Sequence, residues 1–290
     1  MPILSQLNVD IISGNDSDLV EITGRVAEGS STVASGQFSH AEGRETTSSG
    51  SSSHAEGYLT VASGQSSHAE GYNTTSVGVY SHSEGLSTTA IGDTSHAEGD
   101  STKSTGSSSH SEGSSTIAGG SSSHAEGSLT TASGSFSHAE GYQTSAIGNI
   151  SHSEGYQTSA IGNISHAEGF GTTASGGQSH AEGQATKAIG VASHAEGWLT
   201  TASGPQSHAG GYLSTANGDA AFMHSTNSTL NANRSVVLGG QNINGTTADT
   251  VYMPKIELAE VNSSIIMKSP DGTRYKLTIA NGGTISITTV

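Results

Sequence analysis

The sequence predicts an all-β fold, a parallel β-solenoid of 14-residue coils followed by a small antiparallel β domain. Three observations predict it. Ser-His-Ala-Glu-Gly, or its Ser-His-Ser-Glu-Gly variant, begins at Ser39 and returns every 14 residues to Ser193, and a thirteenth copy at Ser207 lacks only the Glu. Each period divides into two seven-residue halves of the form [ST]-x-A-x-G-x-x, a short strand and then a Gly turn. Past residue 240 the period is lost, and apolar runs separated by Ser-Pro-Asp-Gly and Ala-Asn-Gly-Gly take over.

Composition alone would mislead. Hydrophobic residues are 31% and charged residues 12% of the chain, with 40 glycines and a formal charge of −16, a balance that usually marks disorder. A disordered tract does not hold an unbroken 14-residue count for some two hundred residues, so the period overrides composition. The chain has no cysteine, which excludes a disulfide framework and thiolate metal sites. The acidic balance disfavours nucleic acid as a partner. No run of 18 apolar residues exists and the first residues lack a basic, then apolar, secretory pattern, so neither membrane insertion nor a signal is expected.

With His as position 1, the repeat reads H-[AS]-E-G-x-x-T-x-[AS]-x-G-x-x-S. Side chains alternate along a strand, so Ser at 14, Ala or Ser at 2, Thr at 7 and Ala or Ser at 9 share one side. All are small enough to fill the thin space between two back-to-back strands. Positions 1, 3, 8 and 10 point away from it. Position 8 accepts Thr47, Val61, Lys103, Ile117 and Ser145, the tolerance of a wet surface. Positions 1 and 3 remain His and Glu in thirteen copies with the single exception of Gly210, so something fixed faces them.

The register extends beyond the motif. Fourteen residues before His40 lies Val26, and successive steps after His208 reach Phe222 and Val236, which gives sixteen coils. At roughly 4.8 Å per coil the solenoid is about 70 Å long. At its far end the His and Glu slots hold Val236 and Leu238; with Val26 and Phe222 these are apolar ends of the seam. A roll filled with Ser, Ala and Thr buries too little apolar surface to stand alone. Identical repeats meeting identical repeats point to a symmetric homo-oligomer with the His/Glu strand at the axis.

The period, the half-repeat and the Gly positions resemble the YadA-type head repeat of trimeric adhesins and phage tail fibres, approximately N-S-V-A-I-G-x-x-S-x-A-x-G. "RSVVLGG" (234–240) is close to the family form, while the SHAEG copies keep its Ser, Ala and Gly but put His and Glu in its apolar seam. The resemblance covers roughly residues 25–240. It implies a left-handed parallel β-roll, three chains side by side, and a non-enzymatic structural role.

In such a trimer each coil turns its His and Glu toward the axis. The ladder comprises His40, His54, His68, His82, His96, His110, His124, His138, His152, His166, His180, His194 and His208, with Glu42, Glu56, Glu70, Glu84, Glu98, Glu112, Glu126, Glu140, Glu154, Glu168, Glu182 and Glu196. At about 5 Å and an effective dielectric near 20, a His⁺/Glu⁻ pair gains roughly 3 kcal/mol before desolvation. An inter-chain lattice with many His held cationic is therefore expected; protonating the thirteen repeat His changes the formal charge from −16 to −3. No cofactor is expected. The sharper alternative is an axial metal or anion, with His224, in the Glu slot of the Phe222 coil, as an off-pattern ligand. A Ser-His-Glu triad is excluded by geometry, since Ser and His point to opposite faces.

Position 5 carries an aromatic stripe: Tyr58, Tyr72, Tyr142, Tyr156, Phe170, Trp198 and Tyr212. It serves either to stack a receptor or glycan or, more plainly, to pack turns between chains. Residues 1–24 read as an N-terminal cap or attachment segment and 241–290 as an antiparallel tip that also covers the open edge of the roll. These readings converge on a trimeric shaft of a phage tail fibre or tail-like particle presenting a tip for host attachment. The missing leader and anchor favour it over the alternative, a bacterial surface adhesin or self-assembling surface fibre.

Overall fold

The computed structural model describes residues 24–256, 265–279 and 285–289, so most of the expected N-terminal segment lies outside the described residues. All regular structure among them is β. Two parallel sheets stand back to back. The first has 17 strands and contains the His/Glu strands, from Val26–Ser30 to Val251–Tyr252; the second has 16 two-residue strands, from Val33–Ala34 to Asn244–Gly245. Register is in phase from coil to coil: His40 opposes His54, Ala41 opposes Ala55 and Glu42 opposes Glu56. Every sequence position is thus a column along the roll.

The interior columns are those the alternation predicts. Ser39, Ala41, Thr46 and Ser48 are buried, as are their equivalents in later coils. The Ser at position 14 closes a turn: Ser53 Oγ donates to Gly50 O at 2.7 Å, and Ser165 Oγ to Gly162 O at 2.6 Å. Thr at position 7 finds a partner in two of the coils where position 2 is Ser, Ser83–Thr88 and Ser153–Thr158, both at 2.8 Å; in the third, Ser111 pairs with Ser104 and Thr116 is left without one. Where position 2 is Ala, hydroxyls such as Thr60 and Thr144 are buried without a partner, a cost typically of 1–3 kcal/mol each.

Glycine works differently from the turn role expected of it. At position 4 φ is positive, +104° at Gly113, and a Cβ there would meet the Gly127 carbonyl oxygen at 2.2 Å. At position 11 no positive φ is required, yet a Cβ on Gly106 would sit 1.9 Å from the Gly120 oxygen. Close approach of successive coils is what excludes side chains from both columns. The left-handed turn conformations fall instead at positions 6 and 13, on residues such as Leu59, Phe136, Ile150 and Ile164, with φ of 57–59°. Such a conformation costs an L-residue roughly 1–2 kcal/mol, most for a β-branched side chain. A cross-coil bond offsets it: the amides of Phe136 and Ile150 donate to Ser121 O and Ser135 O at 2.8 and 2.9 Å.

The roll runs past residue 240, where the sequence period is lost. Val236 pairs with Val251, and Asn244–Gly245 continues the second sheet. This coil is one residue longer, with the register shifting between His224 and Thr226 as Thr226 comes to oppose Gln241. The core also changes there, from Ala, Ser and Thr to Met223, Leu230 and Val237. Tyr252 fills the end coil, and its hydroxyl accepts from Thr247 N at 2.7 Å.

Residues 253–290 form a second unit. Its described part is a three-stranded antiparallel sheet, Ile265–Lys268, Arg274–Ile279 and Ile285–Thr289. The Ser-Pro-Asp-Gly turn is present, with Ser269 N donating to Thr273 O at 2.8 Å; Ala-Asn-Gly-Gly lies outside the described residues. Pairing of Ile265 with Leu277 and of Leu277 with Ile287 puts apolar residues on one face, while Lys268, Arg274 and Lys276 occupy the other. Met267, Ile285 and Ile287 on that apolar face are exposed.

Gly106→Ala tests the close-approach claim, because its backbone needs no positive φ. It should lower stability by several kcal/mol, beyond the roughly 1 kcal/mol effects of ordinary surface changes, while Ser107→Ala one residue on should change little. Equal melting temperatures for the two variants would refute the claim.

Candidate functional site

The fixed face of the first sheet is the candidate site. Parallel pairing brings the His side chains into one stack, in which His68, His82, His96 and His110 lie with ring centroids 4.8 Å apart and planes within 1°. His40, His54 and His68 lie near the Glu of their own coil, at 3.7–3.8 Å, and from His82 onward the rings reach back toward the Glu of the preceding coil. His96 Nε2 lies 3.2 Å from Glu84 Oε1, His166 Nε2 3.3 Å from Glu154 Oε1, and His194 Nε2 3.1 Å from Glu182 Oε1. The same approach loosens elsewhere, to 3.5 Å at His110–Glu98 and 3.9 Å at His82–Glu70. These contacts form within a single chain, whereas the lattice expected from the sequence is one between chains. The paired side chains are about one-third exposed, 36% and 34% at His110 and Glu98.

The electrostatics run opposite to the cationic ladder expected from sequence. Burial lowers the pKa of His54, His138, His152 and His208, and the charge of neighbouring His lowers it further, against the pull of nearby Glu. Burial is the larger cause and the stack adds to it, because protonating one ring sets its charge face to face with the next. A neutral imidazole carrying its proton on Nε2 still donates to the carboxylate. At Glu182 burial raises the carboxyl pKa, but hydrogen bonding from His194 and Glu168 and the His charges outweigh it, and the net direction is down.

Beside the Glu column the bare Gly column leaves a trough. Two open grooves of about 670 and 650 Å³ run along it, lined by Glu98–Glu154 with their following glycines and by Glu28–Glu84 with theirs. Stacked carboxylates repel one another, and the His donors alongside relieve that repulsion. The Ser of each SHAEG copy takes no part in it. Its side chain is buried on the opposite side of the strand, where in most copies the hydroxyl donates to a Gly carbonyl, so Ser-His-Glu is no triad.

Position 5 lies at the edge of the same sheet. Tyr142, Tyr156 and Phe170 stack at 5.1 and 4.9 Å, while Tyr58–Tyr72 and Trp198–Tyr212 form tilted pairs. The stripe is broken by Asp100, Ser114 and Ser128 and again by Gln184 into separate clusters, and within the stack the ring faces cover each other. Sequence reading missed a second apolar column at position 13, where Phe38, Tyr80, Phe136, Ile150 and Ile164 are exposed. Its only signal is the recurrence of bulky residues immediately before several of the Ser-His pairs.

The ladder ends in an irregularity. His208 turns 85° from His194 and stacks on Phe222 instead. Gly210 takes the Glu slot, and His224 occupies that slot one coil on. His208 Nε2 lies 3.2 Å and His224 Nδ1 3.6 Å from Glu196 Oε1. Of the expected apolar seam ends, Phe222 and Leu238 are exposed on the outer face of the chain, and Val26 and Val236 are half-buried.

Coils of this length, in-phase columns and glycine close approach define a parallel β-solenoid repeat protein. The family model described as the YadA head domain repeat (2 copies) matches residues 55–81, 83–102, 125–149 and 139–165. These stretches lie inside the roll, and the repeat they carry is a YadA-like head repeat. A comparison with curated proteins found no match.

The lowered His pKa values predict acid sensitivity. Because the folded state binds fewer protons than the unfolded state, stability is complete above the unfolded His value near 6.5 and declines as pH falls through the lowered folded values. The melting temperature should fall between about pH 7.5 and 5.5, and His138→Gln with His152→Gln should reduce the slope. A melting temperature that rises on acidification would restore the cationic ladder.

Proposed function

We propose that the chain forms the shaft of a homotrimeric attachment fibre, three left-handed rolls side by side with their His/Glu faces turned to a common axis. Its carrier in this reading is a phage tail or a tail-like particle, and it has no catalytic activity. The contrast between the two outer faces carries the reading. The second sheet varies freely at position 8, from Lys103 to Ile117, whereas the first sheet holds His and Glu through coil after coil. The exposed apolar face of the C-terminal sheet adds a second surface suited to self-association.

In this assembly the aromatic clusters at position 5 pack the turns of adjacent rolls. Their mutually covered faces leave edges, rather than open ring faces, for a glycan. The match to the YadA head domain repeat favours a second carrier, the bacterial surface, where the same trimeric rod acts as an adhesin.

Light scattering of the full chain should give three times the 29.0 kDa chain mass; a monomer at neutral pH would sink the axial arrangement. Antibody to the repeat, applied to purified particles and to washed cells of the source, separates the carriers. Label on particle tails is the expected result. Label confined to cell surfaces would overturn the tail assignment in favour of the adhesin.

A further inference from the structure

We propose that Glu196, His208 and His224 form a single binding site for a divalent transition metal of the zinc type, built where the His/Glu ladder breaks. The three donors are Glu196 Oε1, His208 Nε2 and His224 Nδ1, all within 4.8 Å of one another. Zinc bonds imidazole nitrogen and carboxylate oxygen at about 2.0–2.2 Å, so two donors on a tetrahedral ion stand roughly 3.3–3.5 Å apart. The separations from Glu196 Oε1, 3.2 Å to His208 and 3.6 Å to His224, bracket that value. Two imidazoles and a carboxylate with a fourth position open to solvent are a common donor set for zinc. The exposed His224 leaves that side accessible.

Three departures from the repeat make this place different from the ladder. Gly210 stands where every other SHAEG copy has Glu; a Cβ there would lie 2.7 Å from His224 Nδ1 and 2.9 Å from Glu196 Oε1, in the space where these donors converge. His224 stands in a slot that otherwise carries Glu, which places an imidazole two coils from Glu196. The His208 ring has left the stack, at 85° to His194 where the regular rings differ by a few degrees.

The regular ladder also contains His-Glu-His groups, such as His82–Glu84–His96 and His152–Glu154–His166. There the groups follow one another coil by coil, so filling neighbouring sites would set divalent ions about one strand spacing, 4.8 Å, apart. The ladder end escapes this competition. All three ligands come from one chain, so the site does not rest on the trimeric reading.

The test is calorimetric titration of the full chain, freed of metal, with Zn²⁺, and separately with Co²⁺ followed by visible absorption. One high-affinity ion per chain and the absorption of tetrahedral Co²⁺ are expected. His224→Ala and Glu196→Gln should each weaken that event roughly tenfold or more, and Gly210→Ala should weaken it by crowding the donors. His152→Ala, within the regular ladder, should leave it unchanged. His224 is exposed, so its variant should fold, and circular dichroism with Glu196→Gln as a second variant checks the result. Absence of a saturable event would overturn the site, as would binding indifferent to His224→Ala but lost in His152→Ala.

Discussion

The close approach of successive coils at two glycine columns is the constraint on which the rest of the structure depends. With a carbonyl oxygen about 2 Å from where a Cβ would be, the chain cannot drift in register at Gly106 or Gly113 without collision. Fixed register turns each sequence position into a column, and a column of identical side chains either stacks favourably or repels. Small interior residues follow from the thinness of the roll. The strain of left-handed residues at Ile150 and Ile164 is tolerated because the same stacking supplies each a cross-coil hydrogen bond.

The outer columns show both results of enforced stacking. A column of Glu alone would repel itself at every step. Interleaving with His sets a donor beside the carboxylates, as at His96 and Glu84, while burial and the neighbouring ring lower the pKa of His138. A polar, half-exposed, strictly periodic face results. Such a face matches another copy of itself far better than it matches an irregular partner, because every coil repeats the same contact. Where the alternation fails, at Gly210, the local chemistry changes from a lattice to a discrete cluster of three donors.

Much of this is legible in the sequence, because period and alternation are geometric. Ser39, Ala41, Thr46 and Ser48 are assigned to the interior by parity alone, and the YadA-like repeat follows from the half-repeat and its glycines. Other features are hidden for physical reasons. Left-handed residues at positions 6 and 13 carry no glycine signature, so Phe136 and Ile164 read as ordinary turn residues. One inserted residue near Gly239 and Gly240 disguises the last coil, although Val251 keeps its place in the sheet. The direction of the His pKa shift depends on burial, and then on ring stacking, within one chain, which a list of charges cannot reveal. Residue 224 stands out as off-pattern, but its convergence with Glu196 across Gly210 needs coordinates.

The central claim is that the His/Glu face is where chains meet. The chain lacks cysteine, so a single introduced thiol reports on its own position. Glu112→Cys and Ile117→Cys, on the first and second sheets of one coil, should be oxidised gently and separated under denaturing, non-reducing conditions. Chain dimers linked through Cys at 112 and none through Cys at 117 are predicted, since a disulfide needs Cα atoms within about 7 Å. Linkage at 117 with none at 112 would contradict the claim and turn the roll inside out.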